Sequence, residues 1–421
     1  MNSSNAIESQ ETSSTKFQPI WRKSLIFLVL FSFLVDLSAL NKSKKIESIP
    51  FEVVGSFVIV KVKINESASL NLILDTGIRN TIITELFPGD KVTLNYSDVK
   101  DLMGLGGGQH LNALTSNYNT LKIGKLAIQQ KTVYVLQEDI FNLSKRTGTK
   151  INGLIGVDLF QDYVVEIDYM SKRIRFYEPN AFVTPKGYGM IPLTFEKNKM
   201  FVQLSVSETD STRHNVKMLI DTGAELNAWF QTFKDKSINI PDKNFTGTIG
   251  QGLSGEITGK FGRLPEIFLG DYSLKKLIVS FPDSATISDI ISSSDRDGTL
   301  GSQLLSRFNL FIDIPQKQFF FKPNANFKKH STYNIAGIEV TQIIPFVPQV
   351  EVWHIWENSP AAVAGVKIGD LIIEINGQKA FQYGIDEIKG IFETPTRRPL
   401  NIIIQRDGKE ITFEIEMKSK I

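Results

Sequence analysis

The chain repeats one phrase. Ile73-Leu74-Asp75-Thr76-Gly77 returns as Leu219-Ile220-Asp221-Thr222-Gly223, 146 residues later. Each copy is an apolar strand that ends in an acid, followed by a hydroxyl residue and a glycine. A carboxylate at the end of a buried strand is costly unless it is paired, hydrogen-bonded or at work. Two carboxylates at matched positions therefore point to one shared site. Held close, two carboxyls cannot both ionise, and one proton is shared between them. The ionised member can take a proton from water while the protonated member polarises a carbonyl. Gly77 and Gly223 let the backbone turn tightly against the acid. Thr76 and Thr222 can brace the turns through backbone hydrogen bonds. One such tripeptide is a weak signal, because Asx turns at strand ends produce it as well.

The repeat extends well beyond the tripeptide. Gly250 follows Gly104, and Gly270 follows Gly124, at the same spacing of 146; Gly301 follows Gly156, and Asp313 follows Asp168, at 145. Five landmarks in register make a duplicated unit. Strand patterns dominate both copies, so we expect two β lobes, at residues 50–180 and 190–323. A Pro- and Gly-rich linker between them is expected near Asn180 to Pro192. In the first copy a strand over Ser56 to Ile64 turns at Asn65-Glu66. Val157 to Phe160 reads as a short helical segment, and VVEIDYMSKRIRFYEP as a hairpin.

After Phe321 the sequence turns polar and basic, and then changes character over 335–421. Ser359 can cap a helix that begins with Pro360 and ends at Gly365. Gly369-Asp370 leads into the strand LIIEI, and Asn376-Gly377 is a tight-turn signal. Ile385, Ile388 and Phe392 share one face of a later helix. A final hairpin turns at Asp407-Gly408, with Ile411, Phe413, Ile415 and Met417 inward. This reads as a small α+β module.

At 421 residues, 42% hydrophobic, the chain can bury two or three cores. Its net charge of +2 implies no nucleic-acid partner. With no cysteine, it has no disulfide, no thiolate metal site and no Cys nucleophile. Its four histidines, His110, His214, His330 and His354, form no metal-ligand pattern. We expect neither a metal nor a cofactor. Residues 1–45 open with a polar leader, and Arg22-Lys23 precede an apolar run within 24–40. That segment reads as a signal peptide or as an uncleaved membrane anchor. Either reading places the rest outside the cytoplasm, in a periplasm or facing outward from a membrane.

The paired DTG motifs, each followed by an apolar-apolar-Gly segment (Leu154-Ile155-Gly156 and Thr299-Leu300-Gly301), resemble the aspartic proteases of the pepsin and retroviral types. The resemblance covers about residues 50 to 322. The SPAAxAGxxxGDxIxxING run from Ser359 resembles a PDZ domain over about 335 to 418. Together they are similar to exported bacterial proteins that join a retropepsin-like protease to a PDZ domain. The implied fold is mainly β: two closed, barrel-like acid-protease lobes in one chain plus a small α+β PDZ domain.

The resemblance implies that Asp75 and Asp221 are the catalytic pair, supported by Thr76, Gly77, Thr222 and Gly223. It places substrate-covering flaps at Gly104, Gly106 and Gly107 in one lobe, and at Gly250, Gly252 and Ser254 in the other. No tyrosine stands in the first glycine-rich loop, which favours the retroviral type. Gly337, Ile338 and Val340 fall where a PDZ domain holds a peptide C-terminus, although Glu339 beside them suits a carboxylate poorly. The expected activity is an aspartic endopeptidase acting on polypeptides, with the PDZ domain recruiting peptides or regulating. The alternative is a weak or inactive exported peptide-binding scaffold. Three departures bear on that choice: Ile78 could crowd the dyad, Arg79 would lower its pKa if it pointed inward but is expected to be solvated, and Thr299 is polar where its counterpart Leu154 is apolar. A homodimer with one working lobe per chain is made unnecessary by the duplication.

Overall fold

The computed structural model describes residues 43–421 apart from 109, 210–211, 233–237 and 292–293. The polar leader and the expected signal or anchor at 24–40 lie outside the described residues. Among the described residues no helix is long and apolar enough to cross a membrane.

The first lobe contains β1 (Lys45–Pro50), β2 (Glu52–Val54), β3 (Phe57–Ile64), β4 (Leu70–Leu74), β5 (Thr81–Ile83), β6 (Tyr96–Leu102), β7 (Leu111–Ile123), β8 (Leu126–Leu136), helix α1 (Leu143–Thr147), β9 (Gly153–Ile155), β10 (Val164–Asp168) and β11 (Arg173–Tyr177). The second contains β12 (Gly189–Glu196), β13 (Lys199–Thr209), β14 (Thr212–Ile220), β15 (Ala228–Phe230), β16 (Asn244–Gly252), β17 (Gly255–Leu269), β18 (Tyr272–Pro282), α2 (Ser284–Ile291), β19 (Gly298–Leu300), α3 (Ser302–Leu305), β20 (Phe308–Asp313) and β21 (Gln318–Pro323). The helical segment expected at Val157 to Phe160 is a single 3-10 turn, Val157–Leu159.

Strand pairing repeats across the lobes. In the first, the order β3-β4-β9-β5-β8-β7 closes because β7 pairs back onto β3. In the second, β13-β14-β19-β15-β18-β17 closes because β17 returns to β13. Each lobe is thus a six-stranded barrel with no free edge of its own. Side-chain alternation explains the inward face: at the end of β3, Val60, Val62 and Ile64 are buried while Lys61 and Lys63 are exposed. Two of the matched pairs are turn positions. Gly124 and Gly270 have φ of 59° and 56°, and Asp168 and Asp313 each accept a backbone N–H in the turn that follows.

A third sheet welds the lobes together, in the order β1-β11-β10-β20-β21-β12. At its centre β10 and β20 run antiparallel, with Val165 opposite Ile312 and Ile167 opposite Leu310, all fully buried. This sheet adjusts two expected boundaries. Lys45–Pro50, ahead of residue 50, is already a strand, and Gly189–Pro192, read as linker, pairs with Gln318–Phe321. Lys45–Pro50 is the outermost strand, and Gly189–Pro192 pairs with β21 alone before β12 continues onto β13 from Leu193, so in both the lysine, glutamate or proline is tolerated and the apolar pattern is thin.

The C-terminal module contains β22 (Ile338–Gln342), β23 (Val350–Ile355), α4 (Pro360–Ala364), β24 (Leu371–Ile375), β25 (Gln378–Lys379), α5 (Ile385–Glu393), β26 (Leu400–Arg406) and β27 (Lys409–Ile415). Ser359 caps α4 by accepting the Ala362 N–H, and Gly365 ends it at φ 95°. Ile385, Ile388 and Phe392 are buried on one face of α5. Its sheet runs β22-β23-β24-β26-β27, so β22 is an edge strand. The polar stretch before it is fixed rather than loose. The Ser331 hydroxyl bonds Asn227 and the Ile278 N–H of the second lobe, and Arg307 donates to the carbonyls of Phe327 and Lys329.

Phe321 lies in the welding sheet, fully buried, with Phe308, Phe319 and Tyr272 around its ring. Phe321→Ala should cost about 3–5 kcal/mol, the usual penalty for emptying a buried aromatic site. A lowered denaturant midpoint for the protease portion would show it.

Candidate active site

Each acid is delivered by the same local device. β4 runs parallel to β9, and β14 parallel to β19, so both acid-bearing strands end beside a partner strand. The Asp75 N–H bonds the Ile155 carbonyl at 2.9 Å, and the Asp221 N–H bonds the Leu300 carbonyl at 2.9 Å. The chain then turns. The Gly77 N–H holds Asp75 Oδ1 at 2.8 Å, and the Gly223 N–H holds Asp221 Oδ1 at 3.0 Å.

The threonines do more than brace their own turns. Thr76 Oγ1 donates to the Ile220 carbonyl across the lobe boundary at 2.7 Å and accepts the Thr222 N–H at 3.1 Å. Thr222 Oγ1 donates to the Leu74 carbonyl at 2.6 Å and accepts the Thr76 N–H at 3.1 Å. Both side chains are fully buried. These four bonds bring the two acid loops face to face, close enough for each carboxyl to act on the other. A Cβ on Gly77 would sit 2.5 Å from Asp221 Oδ2, and one on Gly223 would sit 2.5 Å from Asp75 Oδ2. Glycine is required at both positions because each backbone touches the opposite acid.

Burial raises Asp75 well above the ordinary carboxylate range, and the Asp221 charge raises it further. Burial also raises Asp221, but Arg296 opposes this, helped by the Gly223 N–H and Lys199. The environment thus favours a proton on Asp75 and a charge on Asp221. Arg296 is buried and lies over the Trp229 ring at 5.1 Å; Lys199 is half-buried at the start of β13. Sequence reading found neither cation. The counterpart of Lys199 in the first lobe is Phe57, so no repeat marks it.

The departures resolve away from the dyad. Ile78 packs with apolar side chains of the first lobe, including Ile73, Leu154, Ile82 and Leu136. Arg79 pairs with Asp158 at 3.5 Å and stands more than half exposed. Thr299 is buried within the second barrel beside Leu219 and Trp229. Among the described residues no cluster of three or more His, Asp or Glu is arranged to hold a metal ion.

The two glycine-rich loops are the tips of hairpins β6–β7 and β16–β17, and they meet. Gly104 N–H bonds Ser254 Oγ at 3.1 Å, Gly108 N–H bonds the Ser254 carbonyl at 2.7 Å, and Ser254 N–H bonds the Leu105 carbonyl at 2.9 Å. Gly106, at φ 126°, passes against the backbone of Gly255, and Gly252 against the Leu105 carbonyl. Gly107 lies against Ala285 of α2, whereas Gly250 has open space beside it, at a bulge in β16.

The N–H groups of Gly337 and Ile338 both donate to Asn334 Oδ1, and the side chains of Ile338 and Val340 are buried. The N–H groups of Ile335 and Ala336 donate to the Phe392 carbonyl at the end of α5. Helix α1 of the first lobe packs against β22 and α5. There Lys389 Nζ donates to the Arg146 carbonyl at 2.9 Å.

Thr222→Val keeps the shape of the buried cross-link but removes one donor and one acceptor. It should destabilise the lobe junction by about 2–4 kcal/mol, since the Leu74 carbonyl and Thr76 N–H lose their partners. Thermal unfolding of the purified variant would measure this.

Comparison with known proteins agrees with this anatomy. An aspartyl protease family model matches in two segments, residues 60–159 and 202–304, one in each lobe. A PDZ domain model matches residues 356–406. Among curated proteins, the chain is 27% identical over 84 residues to "Serine endoprotease DegS" of Salmonella typhimurium (strain 14028s / SGSC 2262). That match spans a fifth of each chain, so the chain covers only a small part of that relative's length. The paired motifs, the doubled barrel and both family matches lead to one assignment: this chain carries an aspartyl protease domain in two lobes, followed by a PDZ domain.

Proposed function

We propose that the protein is an aspartic-type endopeptidase that hydrolyses polypeptides with a water activated between Asp75 and Asp221. The observation that carries this reading is the acid pair itself, set face to face by the four threonine bonds with each glycine backbone against the opposite acid, and with burial raising both carboxyls. Such a pair holds one proton and one charge at once. Asp221 takes a proton from water as the oxygen adds to the peptide carbonyl carbon, and Asp75 gives its proton to the carbonyl oxygen. As the C–N bond breaks, Asp221 passes its proton to the leaving nitrogen and Asp75 recovers one from a hydroxyl of the tetrahedral intermediate. The pair ends as it began, with no covalent intermediate. The joined hairpin tips suit an extended backbone held beneath them. Export from the cytoplasm is part of this proposal and rests on the sequence of residues 24–40 alone.

Incubation of the full chain with an unfolded polypeptide tests the reading. Wild type should give new fragments, whereas Asp75→Asn and Asp221→Asn should give none. Binding without fragments in the wild type would replace the enzyme with a peptide-binding scaffold. The pH–rate profile should be bell-shaped, with both limbs belonging to the pair rather than to single residues.

The same pair sets a stability trend. The folded-state pKa of Asp75 lies above its unfolded value, so between the two the native state binds more protons. This contribution is complete at acid pH and is lost as pH rises through the raised pKa. Asp75→Asn should therefore melt higher than wild type at neutral pH, with the gap closing in acid. Differential scanning calorimetry across pH would show it.

A further inference from the structure

The two flaps are not equivalent. In the first hairpin, the outer strand β6 is exposed along nearly its whole length. In the second, the base of the hairpin is gripped by the PDZ domain. Phe245 and Phe261 sit opposite each other across β16 and β17, and their rings stack at 5.2 Å. Trp356 of the PDZ domain stacks on both, at 5.8 Å from Phe245 and 5.5 Å from Phe261, with interplanar angles of 26° and 16°. Tyr333 closes the cluster at 4.6 Å from Phe245. Two residues on, Gly247 runs so close that a Cβ would lie 2.9 Å from the Trp356 ring. Next to it, Thr248 Oγ1 bonds His354 Nε2 at 3.0 Å, and Glu256 on the facing strand lies 3.6 Å from the same nitrogen.

The grip lies between the barrel and the flap tip. The hairpin continues from Thr248 to Gly252 and Ser254, and Ser254 carries the bonds to the first flap. A flat aromatic stack fixes the lateral position of the hairpin, and the His354 bond fixes its rotation. The position of the PDZ domain is thereby transmitted to the second tip, and through Ser254 to the first.

We propose that Trp356 and His354 are positioning residues for the second flap, making the PDZ domain part of the substrate clamp rather than an appended recruiting module. This rests on the reading of the cleft as a peptidase site. Neither residue touches the reacting atoms; they act by holding the hairpin where it covers a bound chain. Loss of the grip then weakens retention of substrate more than the chemistry at the acids.

The test uses the full chain and two readouts. Trp356→Ala, Trp356→Phe and Thr248→Val are compared with wild type in hydrolysis of a fluorogenic peptide and in amide hydrogen exchange. Trp356→Ala should raise KM about tenfold while kcat changes by less than about threefold, the scale of a modest misplacement. Trp356→Phe should restore most of the loss, a recovery that bulk destabilisation would not single out. Amides of 244–262 should exchange faster in Trp356→Ala, while those of β26 and β27 stay protected. Unchanged KM and unchanged exchange at 244–262, with β26 and β27 protected, would overturn the proposal. If Trp356→Ala loses protection in β26 and β27, Thr248→Val, which leaves the PDZ core intact, decides by the same two criteria. If wild type cleaves nothing, the peptidase reading fails separately, and hydrogen exchange still decides whether the PDZ domain holds the flap.

Discussion

Everything near the cleft depends on two buried hydroxyls. Thr76 and Thr222 each donate into the opposite lobe and accept from the opposite backbone, so neither lobe completes its own acid loop alone. The arrangement removes six polar groups from water, two hydroxyls, two N–H groups and two carbonyls, and satisfies all of them, which makes the junction both tight and directional. The acids stand on top of this cross-link. Their separation is set by backbone placed with hydrogen-bond precision, not by flexible side chains. The welding sheet β1-β11-β10-β20-β21-β12 performs the coarser task of keeping the lobes together.

The duplicated skeleton supports an unsymmetrical charge pattern. By strand pairing alone the two acids would be twins. Arg296, supplied by the second lobe, opposes the rise that burial gives Asp221, whereas Lys199 acts on both acids and Asp75 feels burial and its neighbour's charge before anything else. The internal repeat supplies two acids on matching backbones, and residues outside the motif give them unequal surroundings.

What was legible in the sequence is what backbone geometry demands. Asp-Thr-Gly twice, the glycines that must touch the opposite acid, the turn glycines Gly124 and Gly270, and the Ser359–Gly365 helix are all fixed by conformations few residues can adopt. The same holds for the lobe count, read from the period of the repeat. Less legible were the features made by distant encounters. β1 and Gly189–Pro192 fall outside the expected lobe bounds because segments that pair on one side carry little apolar pattern. Lys199 and Arg296 have no counterpart in the first copy. Trp356 reads as an ordinary core aromatic, and nothing local says that its ring faces Phe245 and Phe261 of another domain. Ile78 does not crowd the dyad, because proximity in sequence to Asp75 does not aim a side chain at it, whereas Arg79 is solvated as its charge leads one to expect.

The seat of helix α1 has an energetic corollary. It packs against β22 and α5 of the C-terminal module. Arg146 spreads over Trp353 at 5.1 Å while its carbonyl receives Lys389. The same module is tied to the second lobe through the Trp356 stack on Phe245 and Phe261. A unit moored at two separate places keeps a broken contact at high effective concentration while the other one lasts, so neither mooring is lost for long by itself.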